Sequence, residues 1–208
     1  MLKKTQIINH FKTSDPIIFQ YLSTFNFEEK INSRPEETYY THLVENIIGQ
    51  QLSTKVADII IKRFQNLFEH GSFTPQQIIT IETETLRGIG MSYAKIKYVK
   101  DLSERTKDNL IQYSDFKNMV DEDVILQLTQ VKGIGRWTAE MFLMFSLGRE
   151  NVFSYGDGGL RRAMTNLYGL EKKADFEEIG AIVETWSPYK SYASLALWHS
   201  LDNVSRLD

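Results

Sequence analysis

The sequence contains no cysteine. That absence excludes disulfides, thiol nucleophiles and zinc or iron–sulfur sites built on thiolates. The four histidines, His10, His42, His70 and His199, form no ligand-spaced pair, so no catalytic metal is expected. Long apolar runs are missing too. No segment approaches the roughly 18 residues of a membrane span, so no membrane partner is expected. The N-terminal stretch MLKKTQIINHFK has neither the apolar core nor the small-residue cleavage site of a signal peptide. A cytoplasmic protein is the default. An excess of positive charge is also absent: 24 Lys and Arg face 27 Asp and Glu, a net charge of −3. Bulk charge therefore does not mark a nucleic-acid binder.

Local charge is more informative. Arg87, Lys95, Lys97, Lys100, Arg105 and Lys107 cluster in one region, and Lys132, Arg136, Arg149, Arg161 and Arg162 in another. One basic face on an acidic body and an evenly mixed solvated surface both remain open.

No convincing alternating strand appears, and the apolar spacing is helical throughout. Pro16 suits a first helical turn capped by Asp15 or Ser14. Leu43, Val44, Ile47 and Ile48 share a face. After the polar break Gly49-Gln50-Gln51-Leu52-Ser53-Thr54, the spacing of Val56, Ala57, Ile60, Phe64, Leu67 and Phe68 predicts a helix ending at Gly71. Thr74-Pro75-Gln76-Gln77 reads as a capping box, and Asp121-Glu122-Asp123 as an acidic helix start. The class is all-α, with about ten short helices. Arg87-Gly88-Ile89-Gly90 and Lys132-Gly133-Ile134-Gly135 form one faint internal repeat.

The richest stretch runs from Leu128 to Arg162. It opens with the turn Val131-Lys132-Gly133-Ile134-Gly135, continues as an apolar helix from Trp137 to Leu147, and ends at Asp157-Gly158-Gly159-Leu160-Arg161-Arg162. Two glycines that tolerate positive φ permit a tight turn, and the following helix opens with free N–H groups that suit an anion such as phosphate. A plain helix connection explains the turn equally. Asp157 reads either as the cap of the Leu160 helix or as a catalytic carboxylate. On the residues alone, Trp137 and Trp198 read as core and Gln50-Gln51 as a polar loop.

Taken together, VKGIGRWTAEMFLMFSLGRENVF and the Asp157 segment resemble the helix-hairpin-helix, Gly/Pro, Asp superfamily of DNA glycosylases, and within it the 3-methyladenine DNA glycosylase II (AlkA-like) branch. Three further stretches agree in order: Ile47 to Ser53, Leu86 to Lys95, and Trp186 to Trp198. The resemblance implies base excision from double-stranded DNA containing damaged bases, with no cofactor. It implies Asp157 as the catalytic acid, and Trp137, Met141, Trp198 and Gln50 as the base pocket. DNA contacts fall on Lys132, Gly133, Ile134, Gly135, Arg136 and Thr138, with Gln51 as the wedge and Leu52 behind it. The carbonyls of Thr129, Val131 and Ile134 match those that hold a structural monovalent cation, Na+ or K+, in relatives. Bifunctional members carry a lysine two residues after the second glycine of the turn; here that position is Trp137, which implies hydrolysis without a lyase step. Lys132 stands where many members have proline. Gly158-Gly159 replaces a frequent leucine and is expected to loosen the loop.

The expected architecture is two helical lobes, a bundle over residues 38–148 and a second lobe formed by 1–37 with 149–208, in a monomer with DNA across the cleft between them. An oxidised-purine glycosylase of the same fold and a catalytically silent DNA-binding module are the rival readings.

Overall fold

The computed structural model describes residues 2–171 and 176–204. Its α-helices are α1 (Leu2–Ser14), α2 (Pro16–Leu22), α3 (Tyr39–Gly49), α4 (Thr54–Gln65), α5 (Pro75–Thr80), α6 (Thr83–Gly88), α7 (Tyr93–Lys107), α8 (Asp121–Leu128), α9 (Arg136–Phe145), α10 (Gly158–Tyr168), α11 (Phe176–Glu184) and α12 (Lys190–Val204). Three 3₁₀ turns, at Glu36–Thr38, Glu69–Gly71 and Tyr113–Asp115, link them. Among the described residues there is no strand, and no helix is long and apolar enough to cross a membrane. The all-α class stands, with twelve α-helices among the described residues rather than about ten.

Local chemistry explains the helix starts. Asp15 accepts from the N–H groups of Ile17 and Ile18 at 3.0 and 3.1 Å, with Pro16 preset in the first turn. Thr74 and Gln77 satisfy each other's backbone N–H groups in a full capping box. Three acids occupy the first turn of α8. The predicted continuation of α4 to Gly71 is wrong. The helix ends at Gln65, and Phe68 is extended, its ring 5.2 Å from Phe64 and 5.3 Å from Phe73. Aromatic packing, worth about 0.5–1.5 kcal/mol per pair beyond burial, overrides the helical period there.

The chain divides into two compact units, residues 1–33 with 143–208, and residues 34–142. The divisions fall at Arg34 and after Phe142, rather than at Thr38 and after Gly148 as the sequence suggests. Close backbone packing accompanies the shift: a Cβ on Gly148 would lie 2.5 Å from the Ser33 nitrogen, so the segment just after α9 packs against the N-terminal segment. In the unit 34–142, α3 buries Tyr39, Leu43, Val44, Ile47 and Ile48. Phe142 closes this core, edge-on to Tyr39 at 5.4 Å and to Phe116 at 5.9 Å. In the other unit, α2 and α10 pack on α12 around the fully buried Trp186. Buried Asp15 accepts from the Trp186 indole and the Tyr168 hydroxyl, each at 2.7 Å, so one carboxylate both caps α2 and ties it to the C-terminal segment.

Candidate functional site

In the unit 34–142, the turn between α8 and α9 is built on one glycine, not two. Gly133 has φ +83°, and an added Cβ would lie 2.1 Å from the Tyr98 ring. Gly135 has neither constraint. In the sequence-similar segment before α7, positive φ falls instead on the second glycine, Gly90, while Gly88 closes α6. The repeat therefore does not extend to the backbone. Ile134 is buried beneath the turn. The Val131 carbonyl accepts the Ile134 N–H at 3.1 Å.

Asp101, which the sequence reading missed, organises this turn from α7. It is buried and takes three donors: the Lys132 N–H at 3.0 Å, the Lys132 ammonium at 2.6 Å and the Arg105 Nε at 3.0 Å. Arg136 is likewise engaged, by Glu122 and by buried Glu140, the latter at 2.9 Å. The cationic heads of Lys132 and Arg136 are thus ion-paired within the chain, though both side chains stay more than half exposed. Lys95 donates to the Ile48 carbonyl at 2.7 Å and Lys100 to the Ile81 carbonyl at 2.8 Å. Several members of the basic clusters are spent on internal acceptors. What the turn offers an anion is mainly backbone N–H groups at the start of α9, which carry no partner within the helix.

Asp101 also makes this turn sensitive to acid. Burial pushes its carboxyl up, but the hydrogen bonds from Lys132 and Arg105 and the Arg105 charge outweigh it and hold the group below its ordinary value. A depressed folded-state value means this stabilisation is complete above the ordinary aspartate value of about 3.9 and is lost as pH falls through the folded-state value. Asp101→Asn is therefore expected to melt earlier than the parent at pH 7. The difference between the two should shrink as pH falls below about 4. Thermal melts across pH check this; a gap that stays constant into acid would remove the charge as the cause.

The junction between α3 and α4 sits beside the turn. Gln51, at its tip, is exposed and has φ +57°, a conformation that costs a non-glycine residue about 1–2 kcal/mol. Such strain at an exposed amide is found where the backbone must present a side chain. Gln50 does not simply line a pocket: its amide donates to the Gly133 carbonyl at 2.8 Å and so ties the two turns together.

A cavity of about 770 Å³ opens next to this junction. Trp137, Thr138 and Met141 of α9 form one wall, and Gln50, Gln51 and Leu52 form its edge. Trp137 is 47% exposed, which removes it from the core. Thr138 is buried with its side chain toward the cavity. His42, Glu45 and Asn46 of α3 also line it, with Thr54, Ala57 and Ile61 of α4 and Arg34. Helical spacing carries the signal for the α3 residues, since they lie on the face of α3 opposite its apolar stripe, but polar residues on a half-buried helix ordinarily read as solvated. Burial, and to a lesser extent the Arg34 charge, push the His42 imidazole down to about 4, so it is neutral at physiological pH.

In the other unit, Asp157 is buried and caps α10, accepting the Leu160 N–H at 2.7 Å. The Trp198 indole donates to the same Oδ1 at 3.2 Å. Trp198 is half-buried, with Phe145 6.2 Å away. Gly158 and Gly159 are not a loose loop; they are the first turn of α10. A Cβ on Gly159 would come within 3.1 Å of Asp157 Oδ1 and 3.4 Å of the Trp198 ring, so its absence lets the indole reach the acid.

The chain is similar to known proteins. The family model "HhH-GPD superfamily base excision DNA repair protein" matches residues 44–188. The chain belongs to that superfamily, in its 3-methyladenine DNA glycosylase (AlkA-like) branch. DNA-3-methyladenine glycosylase 1 of Schizosaccharomyces pombe is 35% identical over 161 residues, covering 76% of this chain and 71% of that protein. Its structure with abasic DNA superposes with a TM-score of 0.80 over 93% of this chain and 95% of that one, at 30% identity. A DNA-3-methyladenine glycosidase structure from Bacillus halodurans gives 0.81 at 32% identity, over 96% and 91% of the two chains. YfjP of Bacillus subtilis is 34% identical over 78% of this chain, which spans 59% of that protein.

Proposed function

We propose that this chain is a monofunctional DNA glycosylase that hydrolyses the N-glycosidic bond of alkylated purines, of the 3-methyladenine and 7-methylguanine type, in base excision repair. The observation that carries the reading is Asp157: a buried carboxylate oriented by a helix N–H and an indole N–H. The target nucleotide is extruded from the duplex, because its sugar carbon is inaccessible in the stack. As the C1′–N bond breaks, its electron pair leaves with the base, and an alkylated cationic purine departs neutral. The Asp157 carboxylate stabilises the oxocarbenium-like sugar and takes a proton from the water that adds to C1′. Trp137 supports binding of a cationic base through cation–π contact. It also stands where a lyase would need an amine, so the reading includes no Schiff base.

The turn at residues 129–135 takes the DNA backbone through N–H groups, and Gln51 fills the gap left by the base. The carbonyls of Thr129, Val131 and Ile134 are neutral oxygen donors with no carboxylate among them, a set suited to a monovalent cation that would be structural.

The test is incubation with duplex DNA bearing 3-methyladenine or 7-methylguanine. Free base should appear while the strand stays intact until treated with hot alkali. Enzymatic strand cleavage would favour an oxidised-purine lyase, and binding without release a silent DNA-binding module.

A further inference from the structure

The cavity's aromatic wall reads charge and shape; its α3 wall has the chemistry to read an edge. Glu45 is the acid on that wall. Its Oε1 accepts the Gln65 amide at 2.7 Å, which anchors the carboxylate from α4 without neutralising it. Among the described residues it has no ion-pair partner. Carboxylate oxygens accept hydrogen bonds and cannot donate them.

We propose that Glu45 is a specificity-determining residue, whose carboxylate accepts from the N1–H and 2-amino group of a guanine-type base and so favours alkylated guanine relative to alkylated adenine. This rests on the base-excision reading above. The two classes of lesion differ on that edge. A 7-alkylguanine presents two adjacent donors, and its positive charge strengthens both. A 3-alkyladenine presents an amino donor beside the N1 lone pair, which a carboxylate repels. The neighbouring groups are compatible with this selection. Asn46 carries an amide that matches either edge and does not discriminate. Arg34 is a donor suited to a carbonyl such as O6. His42 is neutral and does not repel a cationic base.

The experiment is release of 7-methylguanine and 3-methyladenine from the same methylated duplex, by the parent and by Glu45→Gln. Glutamine keeps the shape but adds a donor, which suits the adenine edge. The ratio of 7-methylguanine to 3-methyladenine release should fall by about tenfold, the scale of one bidentate base contact, at an unchanged melting temperature. A ratio within twofold of the parent would overturn the proposal. If the parent releases neither base, the glycosylase reading fails on its own. The cavity is then tested by equilibrium dialysis with 7,9-dimethylguaninium and 3,9-dimethyladeninium. A preference for the guaninium that Glu45→Gln abolishes supports the proposal, and equal binding of the two by the parent overturns it.

Discussion

Asp157→Asn is expected to slow base release by about 10²–10³-fold or more, the usual scale for losing one electrostatic contact to a transition state. The substitution preserves the two contacts described above. The Leu160 N–H and the Trp198 indole both donate to Oδ1. An asparagine carbonyl at the same place can accept both, so the α10 cap and the indole contact survive while the charge does not. The melting temperature should stay within a few degrees of the parent, and binding to lesion-bearing duplex should persist. Single-turnover release measured beside a binding titration checks this. Full activity in the asparagine variant would remove Asp157 from the chemistry.

Gly133→Ala is expected to destabilise the unit 34–142 by about 2–5 kcal/mol, because two penalties add. One is the left-handed backbone, at about 1–2 kcal/mol for a residue with a Cβ. The other is overpacking against Tyr98, at about 1–3 kcal/mol. The clash is with Cγ and Cδ2 of the tyrosine, close to its root, so the ring cannot swing clear without disturbing α7. Gly135→Ala, in the same motif two residues later, meets nothing within 4 Å and has no positive φ. It should change stability by about 0.5 kcal/mol or less, as at ordinary surface positions. Denaturant melts of the pair, with DNA binding measured alongside, test whether the turn depends on its first glycine alone. Equal effects from the two substitutions would contradict the geometry.

The helical class, most helix starts and the capping role of Asp157 were legible in the residues. Asp15, Thr74, Gln77 and Asp121 act within four positions of themselves, through hydrogen bonds or dipole contacts whose geometry the helix supplies. The turn at Gly133 and the resemblance across Ile47 to Trp198 were legible for the same reason: contiguous residues carry them. The end of α4 was not, because Phe68 leaves the helix to meet Phe73, and a periodicity contains no information about a ring in another segment.

What only the tertiary structure decided are the pairings that join distant positions. Lys132 is held by Asp101, 31 residues earlier, a partner that nothing in its neighbourhood announces. Gln50 lines the cavity and also places its amide on Gly133, 83 positions away. Trp198 becomes a partner of Asp157 across 41 residues, with Gly159 leaving the room, and the polar face of α3 lines the same cavity as Trp137 and Met141. The physical reason is common to all four. A charge, an amide or an indole N–H satisfies itself with whichever complementary group folding brings within about 3 Å, and any of many candidates along the chain would serve equally until the packing of helices selects one. By itself the sequence determined that this chain is helical, where its glycine turn lies and which acid starts a helix. The fold determined which cations are ion-paired within the chain and which residues line the cavity.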